Sequence, residues 1–276
     1  DYWIPVNQVK IQPFWLAVDH VILKEYYVNR QVPYFTDYLK KFTDMPFLVI
    51  LRNNRPGKYL RASSLERYKE TENSDWKLLV WDKSKGQARM PLGTLGFRWA
   101  QKEKGLWNLE MKDALNGELI DPELSFIDQH DDVMIVDTDD FGSGEVVRRA
   151  LPVRFVETVQ GQLAVTTVFD LLMAQFGVDR NLGGEAASNY DDNTPFTPAW
   201  QEKFTGIHRD TCIRFAREWA TNAEKTNGKN LIIIGAGVNH WYHNNLLYRS
   251  AIMGLMLTGS VGVNGGGLAH YVGQEK

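Results

Sequence analysis

The residues best suited to ligand chemistry form one short run late in the chain. A four-residue apolar segment at 231–234 leads into Gly235-Ala236-Gly237 and then into Asn239-His240-Trp241-Tyr242-His243. Amides, imidazoles and phenols exchange hydrogen bonds, rings stack, and glycines let a bulky group approach the backbone. Because ligands in α/β sheets bind at the carboxyl ends of strands, the run predicts a ligand-binding loop.

The glycine turn partly matches a dinucleotide fingerprint. A full fingerprint has a third glycine three residues further on, where this chain has His240. A full fingerprint also has an acidic residue about 20 positions after the glycine turn. In this chain, residues 254–260 lie at that distance and contain no acidic residue. A nicotinamide-dinucleotide domain therefore stays open as an alternative, beside an ordinary glycine turn in an α/β fold.

Metal and nucleophile chemistry have little support in the sequence. His240 and His243 have a spacing that two metal ligands on a helix could use, but no nearby carboxylate or cysteine completes a set. The single cysteine, Cys212, excludes an internal disulfide and any cysteine-ligated cluster or zinc site built within the chain, and it fits a reducing compartment. No catalytic triad, P-loop or carboxylate pair is present, so we predict no catalytic residue here.

Composition narrows the class of protein. The chain has 276 residues, 43% hydrophobic and 24% charged, with a net charge of −3. This balance gives no basic footprint for nucleic acid. No apolar run approaches the roughly 18 residues of a membrane span, so we expect no direct membrane insertion.

The spacing of apolar residues, and the breaks at Gly and Pro, predict the helices and strands that position this loop. We predict helices at 15–27, 34–42, 167–176, 198–206, 211–220 and 246–257, and strands at 47–51 and 231–234. Residues 53–150 are polar with short aromatic patches, which predicts a β-rich insertion. Within it, five aspartates lie at 131–140. They do not have the spacing of a calcium-binding loop, so we predict a solvated acidic loop there.

These elements predict an α/β fold with a mostly parallel sheet and helices on both faces. We place a domain boundary near Gly228, which divides the chain into 1–228 and 229–276. Residues 229–276 would then lack their sheet partners in isolation and would expose apolar surface, with a risk of aggregation.

Several motifs together resemble one family. They are Tyr34-Phe35-Thr36-Asp37-Tyr38, Gly96-Phe97-Arg98-Trp99, Leu106-Trp107-Asn108-Leu109, Thr197-Pro198-Ala199-Trp200, the run from Ile234 to His243, Tyr248-Arg249, Asn264-Gly265-Gly266-Gly267 and His270-Tyr271-Val272-Gly273-Gln274-Glu275-Lys276. The chain resembles, over nearly its whole length, the catalytic alpha subunits of membrane-bound respiratory nitrate reductases, in the molybdopterin oxidoreductase family.

The resemblance implies reduction of nitrate to nitrite at a molybdenum held by two molybdopterin guanine dinucleotides. It implies electrons from quinol, passed through iron–sulfur clusters of the alpha and beta subunits, with a haem-bearing membrane subunit beyond. The catalytic subunit would lie at the cytoplasmic face of the cell membrane, held there through its partners. We expect the chain to be a central segment of such a subunit and inactive alone, with the [4Fe-4S] and molybdenum ligands outside it.

By position in the family's motifs, the resemblance implies cofactor contacts. They fall on the strand-end loop, at Ala236, Gly237, Asn239 and His240, with His243 and Trp241 as weaker candidates. They also fall on a second, glycine-rich segment that would lie towards the pterin and the active-site funnel, at Gly265, Gly266, Gly267, Gly273 and Gln274. Glycine turns with Asn or His supply the compact donors that a pyrophosphate needs.

The sequence departs from the family at positions 9–11. The family has a Gly-Thr-Asp segment that contacts the guanine end of one cofactor, whereas this chain has Val9-Lys10-Ile11. Either one cofactor contact has been lost or the sequence is altered there, and we assign no cofactor binding to these three residues.

A non-catalytic role is compatible with the same resemblance. The aromatic insertion at 53–150 could dock a partner subunit, and Trp99 and Trp107 are the side chains whose protection would report it.

Overall fold

A computed structural model describes residues 2–8, 10–92, 111–139 and 144–270. These residues form two compact units. The first unit is built from the described parts of Asp1–Thr36, Phe176–Asp179 and Ala186–Lys276, and the second from those of Asp37–Gln175 and Arg180–Glu185. Trp99, Trp107, Gly273, Gln274 and Val9 lie outside the described residues.

Along the described residues, two helices are followed by seven strands, three helices, one strand, two helices and a last strand. The helices are α1 (Ile11–Leu23), α2 (Pro33–Phe42), α3 (Val168–Gln175), α4 (Pro198–Thr205), α5 (Arg209–Thr226), α6 (Ala236–Asn239) and α7 (Asn244–Leu257), and one π-helical turn (Lys24–Val28) extends α1. The strands are β1 (Leu48–Arg52), β2 (Arg55–Tyr59), β3 (Val80–Asp82), β4 (Gln87–Arg89), β5 (Asp132–Asp139), β6 (Val146–Thr158), β7 (Gly161–Thr167), β8 (Leu231–Ile234) and β9 (Gly267–His270).

Helix α1 is the centre of the first unit. It packs against α4, α5 and α7, and most of its residues from Phe14 onward are buried. The Trp15 ring meets Phe215 and Trp219 of α5 edge-on, at centroid distances of 5.6 and 5.4 Å. Such edge-to-face pairs add to the gain from burying the rings.

One polar side chain of α1 lies in this apolar core. Asp19 is fully buried, and neither of its carboxyl oxygens has a hydrogen-bond partner among the described residues. Burial raises the pKa of Asp19 well above its ordinary value, because the ionised form is left without solvation.

Local signals define the ends of α4. Thr197 caps its first turn by accepting a hydrogen bond from the Trp200 amide at 3.2 Å, and Pro198 occupies the first helical position. Gly206 ends the helix in the left-handed conformation with φ of 73°. The predicted start at Pro198 and the predicted end at Gly206 are thus confirmed.

The first unit also contains the parallel strand pair β8–β9. Leu231 pairs with Gly267 and Ile234 with His270, so the two strands start and end side by side. The face that carries Leu231 and Ile233 is open, with 46% and 78% of those residues exposed.

The second unit contains a five-stranded sheet in the order β2-β1-β7-β6-β5. Every neighbouring pair in it is antiparallel. A separate two-stranded antiparallel ribbon, β3–β4, shares a buried cluster with the sheet that includes Leu48, Trp81 and Val165.

The α/β class is confirmed, but the expectation of a mostly parallel sheet is wrong for the larger sheet. Two residues, Asn53 and Asn54, join β1 to β2, and residues 159–160 join β6 to β7. Connections this short allow only antiparallel pairing, because a parallel crossover needs a dozen or more residues. Among the described strands, only β8 and β9 are parallel.

A buried network of ion pairs stabilises the β3–β4 ribbon of the second unit. The Arg89 guanidinium donates to Asp82 at 3.1 Å and to Asp113 at 2.8 Å, and all three side chains are nearly inaccessible. Burial acts to raise the pKa of both carboxyls, but hydrogen bonds outweigh it and keep both pKa values below their ordinary range. The leading donor is Ser84 for Asp82 and Tyr68 for Asp113, and Arg89 adds to each. A charge buried with full pairing specifies one arrangement of the strands around it.

The predicted helices are confirmed, with ends displaced by a few residues. The largest differences are at α1, which begins at Ile11, and at α5, which continues to Thr226. The predicted acidic loop is wrong, because Asp132–Asp139 forms the edge strand β5. The domain boundary near Gly228 stays a prediction.

Candidate functional site

The carboxyl ends of β8 and β9 bring three polar side chains together. Asn239 is the last residue of α6, Tyr248 lies on α7, and His270 ends β9. The Asn239 Nδ2 atom is 3.2 Å from His270 Nε2, and the Tyr248 hydroxyl donates to Asn239 Oδ1. The cluster thus joins one strand end to two helices.

The backbone of this loop is held as well. Asn244, the first residue of α7, donates from its side chain to the Asn239 carbonyl oxygen at 2.8 Å. The Asn244 amide donates to the Trp241 carbonyl at 3.1 Å, and His243 has a positive φ of 63°. The turn between α6 and α7 is therefore fixed at both of its ends.

Three of the remaining loop side chains point outward, whereas Trp241 is half-buried. His240, Tyr242 and His243 are exposed, and Tyr242 is 83% exposed. The rings of Tyr242 and His243 lie against each other, with centroids 4.1 Å apart. Donors and a stackable ring pair are thus presented together on the surface of the first unit.

Neither backbone conformation nor contacts with the described residues require glycine at Gly235 or Gly237. Gly235 has an ordinary φ of −106°, and a Cβ placed at Gly235 or Gly237 would have no atom of the described residues within 4 Å. The space beside this backbone is open to a bulky ligand, so the two glycines and the donors around them fit a nucleotide-like group.

The second predicted segment lies at the other end of the strand pair. Gly267 is the first residue of β9 and pairs with Leu231, the first residue of β8. Three residues of strand, roughly 10 Å, separate this end from the 235–243 loop. The structure therefore brings Gly237, Asn239, His240 and His243 together, and it does not bring Gly265 to Gly267 to them.

Gly266 has a packing reason to be glycine. A Cβ there would be 2.4 Å from the Gly228 carbonyl oxygen and 2.6 Å from that of Ser260. Gly265, by contrast, has a positive φ of 90° and only loose contact with Lys229. Close approach of the chain to itself explains at least one of the three glycines.

Tyr248 and His270 are not among the predicted site residues. Tyr248 follows Asn244 by one helical turn, a spacing that places both on the same face of α7. Local spacing could thus have indicated Tyr248, whereas His270 reaches the site only through the β8–β9 pairing.

The described residues contain no group of three or more His, Cys, Asp or Glu side chains placed to hold a metal ion. Cys212 is fully buried in α5, and burial raises the pKa of its thiol, with a smaller contribution from Asp19. Within the described ranges, no helix is both long and apolar enough to cross a membrane.

Sequence comparison places this loop in a known class of redox proteins. The family model for molybdopterin oxidoreductases matches residues 1–274, so the chain belongs to the molybdopterin oxidoreductase family.

Within that family, the chain is similar to nitrate reductase alpha chains. It is 42% identical over 282 residues to the nitrate reductase alpha chain of Bacillus subtilis (strain 168) and 40% identical over 294 residues to the respiratory nitrate reductase 1 alpha chain of Escherichia coli (strain K12). Both alignments cover 100% of this chain and 23% of the relative, so the chain spans about a quarter of their length. It is 28% identical over 278 residues to the perchlorate reductase subunit alpha of Dechloromonas aromatica (strain RCB), covering 100% of this chain and 24% of that subunit.

Proposed function

We propose that the chain is a segment of the catalytic subunit of a quinol-linked respiratory nitrate reductase. The subunit would reduce nitrate to nitrite at a molybdenum bis(molybdopterin guanine dinucleotide) centre. The observation that carries the proposal is 42% identity along the entire chain to a nitrate reductase alpha chain, against 28% to a perchlorate reductase subunit.

The strand-end loop supplies the residues that would hold the cofactor. Gly235 and Gly237 leave the backbone accessible, and the exposed imidazoles of His240 and His243 can donate to phosphate or to a guanine edge. Ala236 lies between the two glycines, where its backbone could take part. Gly265 to Gly267 and Gln274 stay proposed contacts, which would need a different part of the cofactor because 265–267 lie at the opposite strand end.

When bound, the molybdenum–pterin centre supplies oxygen-atom transfer from nitrate. The contribution of this chain is to bind and orient the nucleotide portion of the cofactor. Hydrogen bonds around Asn239 keep the loop in one shape, so less conformational entropy is lost on binding. The molybdenum and [4Fe-4S] ligands would come from other parts of the subunit.

The same proposal includes partners and location. An iron–sulfur beta subunit would accept contacts from the catalytic subunit, and a haem-bearing membrane subunit would deliver electrons from quinol. The subunit would be peripheral, at the cytoplasmic face of the membrane. We retain the division at residue 228 and the docking role of 53–150 as parts of this proposal.

Family membership favours a molybdopterin cofactor over a nicotinamide one. The third glycine of a nicotinamide fingerprint would lie at His240, which is exposed here. Titration of the chain with NADH is expected to give no micromolar binding. Saturable micromolar binding would restore the nicotinamide alternative.

A chimera tests the proposed function directly. The chain replaces the aligned segment of the Bacillus subtilis nitrate reductase alpha chain, in a host that makes the cofactor and the partner subunits. We expect the chimera to retain pterin and molybdenum and to reduce nitrate with a viologen donor. The 276-residue chain alone should contain no stoichiometric molybdenum and should produce no nitrite.

Two controls give the result a clear meaning. The unmodified relative fixes the maximal rate, and a chimera with the corresponding Dechloromonas segment tests whether any family segment suffices. A chimera that loads the cofactor yet reduces perchlorate and not nitrate would contradict the proposal. So would nitrite production by the isolated chain.

A further inference from the structure

The cluster of Asn239, Tyr248 and His270 at the strand ends connects three separate elements by side-chain hydrogen bonds. Its three members come from α6, α7 and β9, and 31 residues separate Asn239 from His270. All three side chains are partly buried. A cluster that links three elements in this way controls the shape of the loop between them.

The hydrogen-bond chemistry of the cluster sets the orientation of the Asn239 carboxamide. A carboxamide has an oxygen that accepts and a nitrogen that donates. The Tyr248 hydroxyl donates to Asn239 Oδ1, so Nδ2 is the atom that faces His270 Nε2 at 3.2 Å. Since Nδ2 has no lone pair to offer, Nε2 must accept.

The same hydrogen bonds determine which nitrogen of the His270 imidazole carries the proton. A neutral imidazole has one nitrogen that donates and one that accepts. If Nε2 accepts from Asn239, the proton is on Nδ1. The reverse arrangement, in which the amide is flipped and Nε2–H donates to the amide oxygen, would require Tyr248 to accept.

We propose that Tyr248 and His270 are positioning residues that hold the Asn239 carboxamide in one orientation, with the His270 proton on Nδ1. This clamp fixes the 235–243 loop so that His240 and His243 face the cofactor. Its role toward the cofactor rests on the proposed function, whereas the proton position does not.

The clamp gives Asn239 a role different from that of its neighbours. The side-chain oxygen and nitrogen of Asn239 and its carbonyl oxygen all have partners within the chain. His240 and His243 are exposed in the same loop. Asn239 therefore acts through the loop shape, and the two histidines are the side chains that touch the ligand.

Nuclear magnetic resonance of histidine nitrogens tests the proton position. The 276-residue chain is labelled with ¹⁵N-histidine and measured at about pH 8, where an ordinary imidazole is neutral. Loss of one signal in His270→Gln assigns His270 among the six histidines. We expect long-range proton–nitrogen couplings of an Nδ1–H tautomer, and an Nε2–H tautomer in the unsubstituted chain overturns the proposal without any further variant.

Substitutions then test the clamp. In Asn239→Asp the carboxylate only accepts, so His270 should change to a form with Nε2–H. In Tyr248→Phe the amide loses its fixed donor, and we expect both tautomers. Tyr242→Phe is the matched control, because it removes a hydroxyl from an 83% exposed residue of the same loop and should leave the tautomer unchanged. An unchanged tautomer in Asn239→Asp contradicts the clamp.

Pterin retention by the chimera separates this inference from the proposed function. Loss of one hydrogen bond of the clamp in Tyr248→Phe should weaken cofactor retention by about tenfold. Tyr59→Phe, which removes a tyrosine hydroxyl that donates to Asp44 at 3.1 Å in the second unit, is the matched control for retention and should leave it unchanged. Equal retention in Tyr248→Phe overturns the positioning role. If the chimera itself binds no pterin, the proposed function fails, while the proton position on His270 is still decided by the spectra.

Discussion

Asp19 lies on α1 among Trp15, Cys212 and Gly254, in the most apolar part of the first unit. Removing a carboxyl group from water without a compensating hydrogen bond is costly, and the cost is greatest for its ionised form. The folded chain therefore keeps the proton on Asp19, and the free energy of unfolding must depend on pH.

The direction of this dependence follows from the raised pKa of Asp19. Below the ordinary aspartate pKa of about 3.9 both states hold the proton. Above it the unfolded state loses the proton first, so the free energy of unfolding falls by about 1.4 kcal/mol per pH unit until pH reaches the raised pKa of the folded state. Asp19→Ala should remove this slope and raise the free energy of unfolding at about pH 8 by about 1–3 kcal/mol.

Urea unfolding at about pH 5 and about pH 8 measures this effect. Asp37→Asn is the matched control, because Asp37 is exposed and its substitution should change stability by less than about 0.5 kcal/mol. A loss of stability in Asp19→Ala at the higher pH would show that the carboxyl has a partner and would contradict the burial argument.

Two glycines of the first unit should respond oppositely to a methyl group. Gly266→Ala should lower the free energy of unfolding by about 1–3 kcal/mol, because its Cβ would overlap the Gly228 carbonyl. Gly237→Ala should leave stability unchanged or raise it by up to about 1 kcal/mol, since α6 is helical and the Cβ has open space. It should instead reduce pterin retention in the chimera.

Thermal unfolding and extracted-pterin fluorescence distinguish these outcomes. Equal retention in Gly237→Ala and the unsubstituted chimera would mean that the open space beside the loop does not serve the cofactor. An unchanged melting temperature in Gly266→Ala would contradict the close approach of the chain at that position.

At the scale of elements, the hairpin β1–β2 depends on two asparagines. Asn53 and Asn54 have φ values of 51° and 57°, the pair of left-handed residues that a two-residue hairpin turn requires. Asn54→Gly should raise the free energy of unfolding by about 0.4–1 kcal/mol, and Asn54→Val should lower it by about 1–2 kcal/mol. Chemical denaturation measures both, and equal effects of Gly and Val would exclude the left-handed conformation.

The same hairpin explains why strand direction was not predictable. The end of the predicted strand at 47–51 before Asn53 and Asn54 is confirmed. Pro56 and Gly57 also favour a break after that strand, but they lie within β2. The chain resumes pairing at Arg55, however, and β2 is almost wholly exposed, so it has no apolar pattern to predict it. The helices were predictable because their buried faces recur within each helix itself.

The edge strand β5 was missed for a related physical reason. Only Val136 of its eight residues is fully buried, and aspartates occupy both ends. Charged edge strands are a common protection against unwanted pairing, and their composition resembles that of a loop.

The candidate site was likewise predictable only in part. The 235–243 loop is continuous in sequence and could be predicted, whereas His270 reaches the loop only because β9 pairs with β8.

At the scale of the whole molecule, the open face of β8 predicts self-association of the isolated chain. Parallel strands are normally covered on both faces, yet Ile233 is 78% exposed and Leu231 is 46% exposed. We expect the isolated chain to self-associate through this face and Ile233→Lys to reduce the association. Leu119→Lys, at a 72% exposed residue of the second unit, is the matched control.

Sedimentation velocity over a range of concentrations measures the association. If Leu119→Lys reduces it as much as Ile233→Lys, net charge and not the β8 face controls association. In the chimera the β8 face should be covered by the longer polypeptide, so Ile233→Lys should there lower the yield of folded subunit.

The packing of α1 has a consequence for synthesis on the ribosome. Its partners α4, α5 and α7 begin at Pro198 and end at Leu257, after the bulk of the second unit has been translated. At about 5–20 residues per second, Val18 and Ile22 remain without their partners for on the order of 10–50 s. The second unit is complete by Glu185, so we expect it to fold first while nascent α1 is a binding site for chaperones.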